Sequence, residues 1–142
     1  MKLSERIADW LADHGIEQVF TVTGGGAINT GVALSRLGFA VTPLVKIGWD
    51  LNASKVLETF VDEGLDQRLV CRSKNFATGV AVMISAHDRD ASIFTFRGAN
   101  TRLMPSDIPA DAFHGASLVF VSGLSNDSAD CFPGIIQQAK AA

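Results

Sequence analysis

The sequence predicts an α/β fold: a mostly parallel sheet flanked by helices, with a small β element beside it. Two observations carry that prediction. From residue 18 to 64 the pattern runs strand, helix, strand, helix, the alternation that favours parallel pairing. From 68 to 97 three strand-like runs follow with little helix between them, and these supply the small β element.

Each element has a local reason. Ile7, Trp10, Leu11 and His14 fall at helical spacing behind Ser4, a candidate N-cap, and Gly15 supplies a stop. Residues 18–22 read as a short buried strand. Gly24 to Gly26 allow a tight turn, and Asn29 to Leu37 form a helix stopped by Gly38. Residues 40–47 make the next strand, which Pro43 marks as an edge or bulged one. Asp50 caps a helix with Val56, Leu57, Phe60 and Val61 facing inward, and Gly64 ends it. Residues 68–72, 78–85 and 91–97 are strands, with a hairpin loop at 86–90. Pro105 to Ile108 mark a helical turn, and 117–122 are another buried strand. Asn126 opens a last helix that Pro133-Gly134 interrupts or restarts.

Composition excludes several classes. Hydrophobic residues are 47% of the 142-residue chain and charged ones 19%, a globular mixture rather than a disordered one. A net charge of −3 argues against nucleic acid or an anionic membrane as the partner. No apolar run approaches the roughly 18 residues of a membrane span, and residues 1–6 lack a secretory pattern. Cys71 and Cys131 have neither disulfide-framework nor metal spacing and read as small buried hydrophobes in a reduced, cytoplasmic setting. Asn29 stands where Gly-x-Gly-x-x-Gly needs its last glycine, and no Walker lysine follows. His14, His87 and His114 suit neither a metal site nor a catalytic triad.

Several short runs stand in order from residue 24 to 123: Gly24-Gly25-Gly26-Ala27-Ile28-Asn29, Gly38, Gly48, Thr78-Gly79-Val80-Ala81, Arg97-Gly98-Ala99-Asn100 and Ser122-Gly123. Together they make residues 24–142 resemble the N-terminal half of the PfkB, or ribokinase-like, carbohydrate kinases. The chemistry is consistent with a sugar. Hydroxyls need short polar groups and close backbone approach, which glycine permits, and Asn29 offers one acceptor and two donors. The resemblance implies sugar-side roles for Gly24, Gly25, Asn29 and Arg97. Gly123 follows a strand, where open α/β sheets place their ligands. A helix-capping Asn29 and a solvated Arg97 are the plainer alternatives, and Asp50 needs no role beyond capping.

For the complete family the resemblance implies transfer of the γ-phosphate of ATP, with Mg²⁺, to a sugar hydroxyl. This chain departs from the pattern at Gly31, Trp49 and Ala53. It also lacks an opening strand with a sugar-holding aspartate and the catalytic Gly-Ala-Gly-Asp element. The expectation is therefore a truncated or fused kinase fragment, inactive alone, that holds neither ATP nor Mg²⁺ tightly. The alternative is a non-catalytic fragment that binds a sugar or forms a homodimer through edge strands at 68–97.

Residues 1–27 are similar to the opening of the pyrimidine-binding domain of thiamine diphosphate enzymes of the acetolactate synthase type. The carrying features are the early helix, Gly15, the strand with Val19-Phe20, and the glycine run. The expected organisation is thus a helix–strand segment at 1–23 followed by a partial kinase domain at 24–142. The glutamate that activates thiamine belongs on the next strand. No glutamate lies between Glu17 and Glu58, so thiamine chemistry is not expected.

Overall fold

The computed structural model describes residues 9–10, 12–15, 18–22, 24–84 and 92–142. Its strands are β1 (Gln18–Val22), β2 (Ala40–Ile47), β3 (Val70–Arg72), β4 (Val80–Ile84), β5 (Ser92–Phe96) and β6 (Leu118–Val121). Four of them form one parallel sheet in the order β3-β2-β1-β6, while β4 and β5 pair antiparallel as a separate ribbon. The helices are α1 (Gly24–Arg36), α2 (Leu51–Asp62) and α3 (Phe132–Ala141). This is the predicted α/β class.

Strand β2 explains the layering. Successive side chains of a strand point to opposite faces. Val41, Val45 and Ile47 pack with Ala27 and Leu34 of α1 and with Ala53 and Phe60 of α2. Leu44, on the other face, packs with Leu103, Phe113 and Ile135 of α3. The sheet is therefore covered on both sides, as parallel sheets require. Gly38 and Gly64 end α1 and α2 in the left-handed region. After each, a bond from the next residue closes the cap: Phe39 N to Leu34 O at 3.2 Å and Leu65 N to Phe60 O at 2.8 Å.

Several expectations change. Pro43 lies in a central strand, not at an edge. The carbonyls of Val41 and Ile47 accept from Asp66 N at 2.9 Å and Ser73 N at 2.8 Å, both on the β3 side. Alternation puts the Pro43 nitrogen on that side too, ahead of Val45, where pairing with β3 begins. No ladder bond is lost. The run at 68–72 joins the main sheet as β3, so the small β element has two strands rather than three. Strand β6 is half-buried, with Phe120 exposed, and no strand is paired on its outer side among the described residues.

Helix α1 starts at Gly24, five residues before Asn29, so the glycine run is a first helical turn and not a tight turn. Val61 is exposed, since the buried stripe of α2 runs through Ala53 and Phe60. The last helix restarts at the proline, with a 3₁₀ turn over Asn126–Cys131 handing on to α3. The early helix appears only as residues 9–10 and 12–13, and the 86–90 loop lies outside the described residues.

Asp50 does more than cap α2. Its carboxylate accepts from Ala53 N at 2.8 Å and, across the fold, from Thr78 N at 2.7 Å. Thr78 in turn accepts from Gly48 N through Oγ1 at 2.9 Å. The end of β2 and the approach to β4 are thereby clamped together. The amide of Thr78, followed by that of Ala53, holds the Asp50 carboxyl below its ordinary value. Such a group stabilises the fold above its unfolded pKa and loses that effect as pH falls towards the folded one. Asp50→Ala is therefore expected to lower the thermal midpoint at pH 7. The gap from wild type should narrow between about pH 5 and pH 3, as measured by circular-dichroism melting; a gap independent of pH would count against the clamp.

Candidate functional site

All four strands of the main sheet run parallel, so their carboxyl ends share one edge. The chain leaves β1 towards β2 on one side, while β6 flanks β1 on the other. The gap above β1 and β6 is thus a topological switch point, the usual ligand position in open α/β sheets. A cleft of about 320 Å³ lies there.

One wall is the start of α1, with Gly25 and Gly26. Neither glycine is in the left-handed region; their contribution is space. A methyl group on Gly26 would meet Ser122 Oγ at 3.2 Å. An α-helix leaves its first N–H groups without intrahelical partners, and this first turn contains no acidic residue to neutralise them. The opposite wall is the segment after β6, with Ser122, Gly123 and Ser125. The third side comes from Thr95 of the ribbon, from Arg97 just after it and from Asn100. Arg97 Nη1 reaches Ser125 Oγ at 3.4 Å.

This last side is held by a glycine. Gly98 has φ +50°, and a Cβ there would lie 2.2 Å from the Ala77 carbonyl oxygen. That same oxygen accepts from Ala99 N at 2.8 Å, which docks the 3₁₀ turn Gly98–Thr101 beside the clamp at Thr78.

Of the residues predicted from sequence, Gly25, Arg97 and Gly123 line the cleft, and Gly24 opens the helix beside them. Asn29 is four residues beyond Gly25 on the same helical face, exposed, and outside the lining. Five lining residues were not predicted as site residues: Gly26, Thr95, Asn100, Ser122 and Ser125. Adjacency offered a signal for three of them. Gly26 completes the glycine run, Asn100 closes the Arg97 run, and Ser122 precedes Gly123. Thr95 lies two residues before Arg97, near the end of β5, and Ser125 has no local signal.

The lining is neutral and hydrogen-bonding apart from Arg97. It contains no carboxylate and no imidazole, and among the described residues no three His, Cys, Asp or Glu side chains could hold a metal ion together. The residues present therefore do not fit Mg²⁺–ATP, and no phosphoryl-transfer step is assigned to them. The thiols offer no nucleophile. Burial chiefly, then the charge of Asp107, pushes Cys71 up to about 11. Burial likewise raises Cys131, whose Sγ donates to Leu103 O at 3.2 Å. No described helix is long and apolar enough to cross a membrane.

Fold and cleft together are those of an open α/β sheet with a polar cleft at its switch point. The model of the pfkB family carbohydrate kinases matches residues 5–142, and the chain belongs to that family. The match runs across the boundary expected at residues 23 and 24, and β1, just before that boundary, pairs with both β2 and β6. A ribokinase of Staphylococcus aureus (strain COL) is 28% identical over 94 residues, which are 66% of this chain and 31% of that protein.

Two solved structures share the fold. The fructokinase from Xylella fastidiosa with bound ATP superposes with a TM-score of 0.79 at 20% identity, covering 89% of this chain and 46% of that one. A putative ribokinase II from E. coli in complex with ATP and Mg²⁺ gives 0.74 at 18% identity, covering 89% and 50%. The chain thus spans about a third of that curated relative and about half of each solved kinase.

Gly98→Ala would force a side chain into a left-handed conformation costing on the order of 1–3 kcal/mol, besides the collision with Ala77. The expected result is a lower thermal midpoint, together with altered amide chemical shifts at Arg97 and Asn100. An unchanged midpoint would show that the turn does not depend on the glycine.

Proposed function

We propose that this chain is the sugar-binding portion of a PfkB-type carbohydrate kinase. The observation that carries the reading is the hydrogen-bonding cleft at the switch point beside β1, uncharged apart from Arg97. A polyol presents donors and acceptors without strong charge, and the lining answers with hydroxyls, an amide and the N–H groups of a helix start. Asn29, one turn beyond Gly25, would meet the sugar at the rim. Arg97 would orient it by donating several fixed N–H groups.

The donor half of the reaction is absent from the residues described. No acid lines the cleft, and the sequence contains no Gly-Ala-Gly-Asp. In the whole kinase, ATP with Mg²⁺ would supply the phosphoryl group. The 142-residue chain by itself is expected to bind a pentose or hexose and to transfer no phosphate. Calorimetric titration with ribose and fructose tests the first part, and Arg97→Ala should weaken binding by about tenfold. Incorporation of labelled phosphate from ATP into either sugar, linear with protein, would overturn the second.

A second reading, association of two copies, is favoured by the β4–β5 ribbon. Val82, Ile93, Phe94 and Phe96 are all more than half exposed, and neighbours on a strand face opposite ways. A two-stranded ribbon is marginal alone, and an open edge pairs readily with another strand. A second copy would cover the same surface symmetrically. Light scattering should then give about twice the 15.1 kDa monomer mass, and Phe94→Asp should return the monomer. A wild-type monomer at micromolar concentration would remove this reading.

A further inference from the structure

A second cleft, of about 340 Å³, lies beyond the carboxyl ends of β2 and β3, and it is cationic. Lys46, Arg72, Lys74 and Arg102 all line it, against one lining carboxylate, Asp127. Asp127 pairs with Arg102, and Asp107, outside the lining, pairs with Lys46 at 2.5 Å. Four cations against two carboxylates leave two positive charges, in a chain whose net charge is −3. The concentration of charge is local and opposite in sign to the whole.

The two uncompensated cations are Arg72 and Lys74. Among the described residues neither has a hydrogen-bond or ion-pair partner. The Arg72 Nε–H is buried without an acceptor, an arrangement native proteins rarely leave unexplained. Its guanidinium is nonetheless held in place, with Cζ 4.1 Å from the centre of the Trp49 ring. Arg102 lies over the Phe76 ring in the same way, at 4.5 Å. Ser73 Oγ accepts from the amides of Asn75 and Phe76 at 3.3 and 3.1 Å, leaving its own proton to donate. The site therefore offers positioned cationic donors and a hydroxyl, with no acceptor among the described residues for the side chains of Arg72 or Lys74.

We infer that this cleft binds a phosphate group, as inorganic phosphate or as the phosphate of a small monoester. The excess of two positive charges matches the charge of about −1.5 to −2 on such a group at pH 7. Arginine and lysine recognise phosphate through charge-assisted hydrogen bonds, and a cleft of this size admits a small ion or metabolite rather than a polymer. The site is separate from the neutral cleft, and the inference does not rest on sugar binding there.

The test uses the 142-residue chain with two probes, inorganic phosphate and glucose 6-phosphate, each against chloride at matched ionic strength. Melting and calorimetric titration should show stabilisation and saturable binding by at least one probe. Lys74→Gln, at an exposed position, should weaken binding severalfold, and the Arg72→Gln/Lys74→Gln pair by at least about tenfold. Lys55→Gln on α2 should leave binding within about twofold. Circular dichroism establishes that the variants are folded, and Lys74→Gln carries the test if Arg72→Gln unfolds the chain. Tighter binding of glucose 6-phosphate supports a monoester ligand, and tighter binding of phosphate supports the free ion. No stabilisation beyond the chloride control, or equal affinity in wild type and Lys74→Gln, overturns the inference.

Discussion

The double burial of β2 is the constraint on which the rest depends. One strand feeds two cores: Val41, Val45 and Ile47 on the face of α1 and α2, and Leu44 on the face of α3. A strand buried on both faces must have its backbone paired on both flanks, because unpaired polar groups there are costly. β1 and β3 supply that pairing, and the bond from Asp66 to Val41 supplies it where β3 has not yet begun. All the strands then run in one direction. Their carboxyl ends, and both clefts, are brought to the same edge.

At that edge hydrogen bonds to backbone groups, from side chains and from other backbone, hold the loops. The Gly48–Asp50–Thr78 clamp ties the end of β2 to the start of β4, and the Ala77 carbonyl docks the turn at Gly98. Arg97 precedes that turn, Asn100 lies in it, and Arg102 follows it. One short 3₁₀ segment therefore serves two clefts of different character. The first presents hydroxyls, amides and the single guanidinium of Arg97; the second gathers four cations, of which Lys46, Arg72 and Arg102 are held by carboxylates or aromatic rings. The polar and ionic linings are kept apart by a few residues of chain.

Much of the fold was legible because it rests on local rules. Gly38 and Gly64 end helices as glycines after helices do, and Asp50 caps as an aspartate before a helix does. Alternation of elements named the parallel sheet. The errors share a cause, which is that sequence shows a residue's preference but not its neighbours. Pro43 argues for an edge until the flank carrying its nitrogen is known to have no ladder partner at that point. Glycines 24–26 argue for a turn, yet they form the first turn of α1, where the close approach of Ser122 favours a glycine at 26. The 68–72 run looked like its neighbours in the small β element, yet its burial beside β2 took it into the main sheet.

The sequence by itself determined the class of fold, the family, and the glycine, asparagine and arginine runs that mark one cleft. Those signals are short-range, and a few adjacent residues carry each. Only the tertiary structure decided which residues meet. Thr95, Ser122 and Ser125 reach one cleft from two segments separated in the chain, and Lys46, Arg72 and Arg102 converge on another from three. The physical reason is that a parallel sheet gathers the ends of distant strands at one edge, so the chemistry assembled there depends on strand order rather than on distance along the chain.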